Sequence, residues 1–286
     1  MSTNVGDRPV WLITGCSTGI GREIARAALG AGERVALTAR DAARVEDLAL
    51  EYPDQTIALS LDVTEQTQID AAVAATESAW GRIDVLVNNA GYGYIGAVEE
   101  GVDAEVRTMF DTNFFGPVAM IKAALPGMRA RRSGYIVNIS STTGLISNPG
   151  NVYYSASKFA LESLSEGLSK ELVPFGIRVT AIEPGFFRTD WSTRSMKEST
   201  RTIADYDDTV GVRRRMIREA KAPNPGDPKR IGDAVVMLSQ LAEPPLHLLL
   251  GRDVYAAFRE KLEALQTSVA EWEAVTLDVE FPEECD

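Results

Sequence analysis

The chain reads as an α/β protein: one doubly wound domain whose parallel sheet carries helices on both faces. Three observations predict this. Short apolar runs recur along the first 250 residues, each is followed by a stretch with apolar residues at helical spacing, and a glycine-rich turn joins the first run to the first helix. Strands written as near-continuous apolar runs are buried on both faces, and a strand-helix-strand rhythm implies parallel pairing. At 286 residues one α/β core is enough.

The elements follow in order. Val10-Trp11-Leu12-Ile13 is a strand ended by Thr14-Gly15, and Ile20, Ile24, Ala27, Ala28 and Ala31 recur as one face of a helix. Val35-Ala36-Leu37-Thr38 precedes a polar helix over 42–50 that Asp41 is placed to cap. Thr56-Ile57-Ala58-Leu59 precedes a helix over 65–80, and Val85-Leu86-Val87 one over 101–113. Further strands are predicted at 135–139 and 177–182, with a helix around 155–165. After Asp190 the rhythm breaks. Residues 191–228 are polar, arginine-rich and closed by Pro223, Pro225 and Pro228, which predicts a long irregular lid over about 190–228, because ligands sit at the carboxyl ends of such strands. A helix over 231–241 and a last strand, Leu246-His247-Leu248-Leu249-Leu250, lead into an extension over 251–286 with a helix at 253–273. Its acidic end, Glu280 to Asp286, is expected to fray.

Composition excludes several classes. With 45% hydrophobic and 24% charged residues, and neither repeats nor low-complexity stretches, the chain is an ordinary globular one. The start, Met1 to Pro9, has no apolar signal region and no stretch approaches eighteen apolar residues, so a cytoplasmic protein without a membrane partner is expected. Cys16 and Cys285 stand at opposite ends, giving no disulfide framework and no metal-ligand spacing. A net charge of −12 argues against nucleic acid, which needs a basic face. The basic cluster Arg213, Arg214, Arg215 and Arg218 reads as a solvated helix face or a lid surface.

Chemistry concentrates in two places. In Tyr154-Ser155-Ala156-Ser157-Lys158, Tyr154 and Lys158 fall at i, i+4 on one helix face, so the ammonium can lower the phenol's pKa. Ser141 lies at the mouth of the strand Tyr135-Ile136-Val137-Asn138-Ile139, able to donate to the oxygen that Tyr154 protonates. That pattern suits carbonyl and alcohol chemistry. The turn Thr14-Gly15-Cys16-Ser17-Thr18-Gly19-Ile20-Gly21 opens the first helix, where backbone N–H groups and the helix dipole favour a pyrophosphate. At the end of the second strand Ala39 stands where an acidic residue would bind the ribose 2′-hydroxyl of NAD. Arg40 follows it, which favours NADP, with NAD the alternative.

Two decoys stand beside these motifs. Gly15-Cys16-Ser17-Thr18-Gly19 fits the nucleophile elbow of hydrolases, but the only histidine, His247, sits in an apolar run and reads as a core or strand-end residue. Gly91-Tyr92-Gly93-Tyr94-Ile95-Gly96 fits a second dinucleotide pattern but opens no helix, and reads as a flexible floor near the substrate. Tyr92, Tyr94, Tyr153, Phe186, Phe187 and Trp191 fall near strand ends or the lid base, either as an apolar substrate pocket or as core.

Together these residues resemble the short-chain dehydrogenase/reductase family over about residues 8 to 250, within its carbonyl reductase and hydroxysteroid-dehydrogenase-like branch. The resemblance implies a Rossmann-type fold and an oxidoreductase interconverting a ketone or aldehyde with a secondary alcohol. It implies a cofactor site of Gly15, Ser17, Thr18, Gly19, Ile20, Gly21, Arg40, Asp62, Val63, Asn89, Ala90, Gly91, Tyr154, Lys158, Pro184, Gly185, Phe187 and Thr189. Asn113, Ser141, Tyr154 and Lys158 match the family's catalytic residues. The basic residue that some NADP-dependent members carry before the second glycine is Thr18 here, so the cofactor preference rests on Ala39 and Arg40. A homodimer through the helices at 101–128 and 152–172, or a homotetramer, is the family expectation, and the extension past 250 bears on the tetramer. An NAD-dependent alcohol dehydrogenase of the same family is the nearer alternative, and a sensor that binds NADP without turnover the one from another class.

Overall fold

The structure, a computed structural model, describes residues 8–219 and 224–281. Residues 1–7, Pro223 and residues 282–286 with Cys285 fall outside the described residues, as do the side chains at 192 and 193.

The chain runs β1 (Val10–Ile13), α1 (Gly19–Gly30), β2 (Arg34–Ala39), α2 (Glu46–Glu51), β3 (Thr56–Ser60), α3 (Gln66–Trp80), β4 (Val85–Asn88), β5 (Gly93–Ile95), α4 (Asp103–Phe110), α5 (Gly116–Arg131), β6 (Gly134–Ile139), α6 (Val152–Glu171) and β7 (Ile177–Pro184). It continues through α7 (Trp191–Arg194), β8 (Met196–Glu198), α8 (Val212–Arg218), α9 (Pro228–Ser239), β9 (His247–Leu250), α10 (Arg252–Glu271) and α11 (Glu273–Leu277). Seven strands form one sheet in the order β3-β2-β1-β4-β6-β7-β9, every pair parallel.

Alternation along each strand splits the core in two. Trp11, Ile13, Val35, Leu37 and Val87 point to the face covered by α1 and α9, while Leu12, Ala36, Leu86 and Ile136 point to the face covered by α3, α5 and α6. On the first face Gly232 is what lets α9 approach α1, since a Cβ there would collide with the Glu23 carbonyl. Strand order reverses between β1 and β4, and that switch point opens a crevice at the strands' carboxyl ends.

Five expectations need correction. The segment 42–50 opens as a 3₁₀ turn over Ala42–Val45, which Asp41 caps by accepting from the Ala43 N–H at 3.1 Å, and only then becomes α2. The helix predicted at 101–113 breaks at Asp111–Phe115 into a π-helical turn before continuing as α5. Gly93–Ile95 is no flexible floor: it is a fully buried strand pairing in parallel with Met196–Glu198. The described residues of 190–228 are no irregular loop either, because that two-stranded sheet, two short helices and a buried ion pair give them structure. Glu100, fully buried, accepts from the Ala97 and Ile203 N–H groups at 2.7 and 2.8 Å and pairs with Arg214 at 2.6 Å. Arg214 thus leaves the solvated face predicted for the arginine cluster, since only a partnered guanidinium can be buried there. Among the described residues no helix is long and apolar enough to cross a membrane.

Candidate active site

The glycine turn at the end of β1 is shaped by its neighbours. Gly15 and Gly19 take φ of +74° and +62°, backbone that a side chain would strain. A Cβ on Gly21 would collide with the Asn89 amide. That amide donates to the Thr14 and Gly15 carbonyls at 2.9 and 3.0 Å, and the Thr14 hydroxyl accepts from the Asn89 and Ala90 N–H groups at 2.9 and 3.0 Å. The turn after β4 therefore clamps the turn after β1, and both line the switch-point crevice. Thr18 stands at the N-cap of α1 without a side-chain cap, and no acidic residue occupies the first helical turn. Uncapped N–H groups at a bare helix start are what an anionic pyrophosphate satisfies. The cradle fits a dinucleotide.

The remaining predicted cofactor residues surround it. Ser17, Thr18 and Ile20 are half-buried on the turn, and Arg40 is exposed at the end of β2, beside buried Ala39. Asp62 accepts from its neighbour Thr64 at 3.0 Å (N–H) and 2.7 Å (hydroxyl), as in a strand-end turn, and Val63 packs against Gly116. Pro184 ends β7, and Gly185 makes room for Asp253, whose carboxylate accepts from the Phe186 N–H at 2.9 Å. Phe187 packs on the core, and Thr189 faces Gly19 across the crevice. Arg194, on α7, donates to the Thr18 hydroxyl at 3.0 Å and brings a cation to the turn that lacks one. Sequence spacing held no signal for that contact across 176 residues.

On the other side of the crevice α6 presents Tyr154 and Lys158, both buried. Burial pushes the Tyr154 phenol up to about 12, against the pull of the Ser141 and Thr143 hydroxyls. Burial also brings the Lys158 ammonium down to about 8, against the opposing charge of Glu162. The expected lowering of the phenol by Lys158 is therefore not what dominates; desolvation disfavours the charged form of both groups. Lys158 Nζ donates to the Ile139 carbonyl at 2.8 Å. Ser141 Oγ accepts from the Thr143 N–H at 3.2 Å, which leaves its own proton to be given away.

Asn113 lies on the π-helical turn, fully buried. Its amide accepts from the Tyr92 N–H at 3.0 Å, and donates to the Tyr92 carbonyl at 2.9 Å and to the Ser157 hydroxyl at 3.2 Å. A Cβ on Gly91 would meet Asn113 Oδ1 at 3.0 Å and Lys158 Nζ at 3.7 Å, so these three residues converge. Single-turn π bulges are common at functional sites, and this one turns Asn113 inward.

The aromatics divide. Tyr94 is core, its hydroxyl bonded to Glu105 at 2.7 Å; Tyr153 bonds the Val98 carbonyl at 2.8 Å; Phe186 is exposed. Trp191 faces the Tyr154 ring at 5.6 Å between centroids, and Lys197 covers the half-buried Tyr92 ring at 4.4 Å. His247 opens β9 with its ring partly exposed, a strand end but not core. Its Nδ1 lies 2.9 Å from Glu183 and 3.3 Å from Glu162. Burial pushes both carboxyls up, and for Glu162 the neighbouring Glu183 charge adds to it. No histidine approaches Ser17, so the hydrolase reading has no triad.

Comparison with known proteins agrees with this geometry. The model of the short chain dehydrogenase family matches residues 9–200. The chain is 36% identical over 269 residues to an oxidoreductase of Botryotinia fuckeliana, BOA17, covering 94% of this chain and 98% of that protein. It is 37% identical over 266 residues to a 3-ketodihydrosphingosine reductase of Bacteroides thetaiotaomicron, covering 91% and 94%. A solved short-chain dehydrogenase from Streptomyces avermitilis superposes with a TM-score of 0.90 at 41% identity, over 98% of this chain and all of that one. Other similar structures hold NADP+, as in a serine dehydrogenase (TM-score 0.72, 31% identity, 84% and 94% covered), or NAD, as in a Burkholderia phymatum enzyme (0.79, 26%, 93% and 97%). A glycine cradle built for a dinucleotide, relatives matched almost end to end and a family model spanning most of the sheet lead to one conclusion: the chain belongs to the short-chain dehydrogenase/reductase family and is an NAD(P)-dependent oxidoreductase.

Proposed function

We propose that this enzyme is an NADP(H)-dependent reductase of an apolar ketone, with the secondary alcohol as its product, and that Tyr154 is the acid and base of the reaction. The observation that carries the reading is geometric: the buried Tyr154 phenol lies beside the Ser141 and Thr143 hydroxyls, one helical turn from buried Lys158, which converges with Asn113 and Gly91. When bound, the nicotinamide supplies the hydride. Tyr154 gives its proton to the carbonyl oxygen, and Ser141 donates a hydrogen bond to the same oxygen as negative charge develops there. Lys158, buried beside Gly91 and Asn113, holds the cofactor ribose and restores the phenol's proton, and Asn113 keeps a path to water open.

Arg40 at the end of β2 binds the 2′-phosphate, and Gly15, Gly19 and Gly21 with the start of α1 hold the pyrophosphate. Trp191 against Tyr154 supplies an apolar wall, which favours a bulky apolar substrate. The 3-ketodihydrosphingosine reductase among the relatives is named for a keto substrate, which supports the direction of reduction.

Titration with NADPH and NADH, followed by nicotinamide fluorescence, and then a panel of apolar ketones tests this reading. Tighter NADPH binding with ketone-dependent oxidation is expected. Binding without turnover on any ketone or alcohol would favour a sensor, and preferential NADH binding would overturn the role of Arg40.

A further inference from the structure

α10, whose one fully buried residue is Val254, leaves the body of the molecule past Lys261. Its base is fixed by Lys261, which donates to the Leu145 carbonyl and lies 4.9 Å from the Phe159 ring centroid. From residue 262 to 281 every residue is exposed. This projecting segment is nevertheless apolar along one stripe. Tyr255, Phe258, Leu262, Leu265, Val269 and Trp272 follow one another at steps of three and four, with Val269 70% and Trp272 60% exposed. A period of 3.5 residues is the seam of a two-stranded coiled coil, narrower than the stripe of a helix packed on a globular core. A lone helix of this length is marginal in water, so the seam calls for a partner.

The charges select which partner. The base of α10 carries Arg252, Arg259 and Lys261 against Asp253 and Glu260 and is net positive by one charge, whereas residues 262 to 280 hold five carboxylates and no lysine or arginine. Two such helices side by side in parallel would set five carboxylates against five. An antiparallel pair sets the acidic end of each against the basic base of the other, which is what a twofold axis between two copies produces. With Arg259 beside Glu273 of the second copy, the seam brings Leu265 onto Val269 and Leu262 onto Trp272. The acidic outer half also disfavours an anionic lipid surface.

We infer that α10 is an antiparallel docking helix for α10 of a second copy of this chain, through its face beyond Lys261, which the helices at 101–128 and 152–172 do not supply. Light scattering on the full-length enzyme and on a Leu265→Glu, Val269→Glu variant tests this. The variant should show half the mass, with NADPH binding and circular dichroism unchanged; equal masses would overturn the inference. Crosslinking reads the geometry. In a Cys285→Ser background, mixed Leu265→Cys and Val269→Cys proteins should oxidise to a mixed dimer, whereas self-crosslinking of each alone would overturn the antiparallel arrangement. Flotation of the wild type on phosphatidylcholine vesicles, lost in the glutamate variant at unchanged mass, would assign the face to a membrane instead.

Discussion

Tyr154 and Lys158 stand one helical turn apart, yet burial drives both toward their neutral forms, the phenol up to about 12 and the ammonium down to about 8. Arg40 shows the opposite situation, an exposed cation at the end of β2. A charge-assisted bond to a phosphate contributes about 1.5–3 kcal/mol. Arg40→Ala should therefore raise the NADPH KM by about ten- to a hundredfold and leave the NADH KM nearly unchanged, as steady-state kinetics with each cofactor would show. Equal changes would refute the 2′-phosphate role. The buried carboxyls make a statement about stability. Glu33, pushed up to about 7 by burial, and Glu162 and Glu183, both raised, keep protons that the unfolded chain gives up near the ordinary value of 4.5. The folded state then binds more protons, so stability falls as pH climbs from 4.5 through the folded values. Glu183→Gln should flatten that fall, read as Tm against pH; a slope equal to that of the wild type would contradict the raised carboxyl.

At the scale of elements, the seven strands of the main sheet were legible because strands buried on both faces are written as apolar runs, and each lies where its run stands. The π-helical turn was not, since the apolar pattern of 101–128 continues through it and only the inward amide of Asn113 marks the break. The small sheet was hidden for another reason. Three-residue strands carry no period, and Gly93 looked like a loop residue although Met196 and Trp191 pack directly on it. The ion pair of Glu100 and Arg214 joins residues 114 apart, a distance that no spacing argument reaches. Arg214→Met should cost about 3–5 kcal/mol, because it strands a buried carboxylate. Urea unfolding would measure it, and a loss below about 1 kcal/mol would mean the pair behaves like a surface one.

For the whole molecule, topology explains why residues so far apart in sequence meet. Parallel strands place every carboxyl end on one edge, so the turns after β1 and β4, the end of β7 and the start of α6 converge on the switch point. That the glycine turn, Ser141, Tyr154 and Lys158 would lie at the strands' carboxyl ends could be read in advance because their spacing is local and ordered along the chain. The contact between Arg194 and Thr18 and the grouping of His247 with Glu162 and Glu183 could not, because they exist only once the sheet is closed. The most direct test is turnover of an apolar ketone by Tyr154→Phe, with NADPH affinity measured on the same preparation. A loss of about 10² to 10⁴-fold in kcat at unchanged NADPH affinity is predicted. Turnover within about tenfold of the wild type would contradict the assignment of Tyr154 as the proton donor.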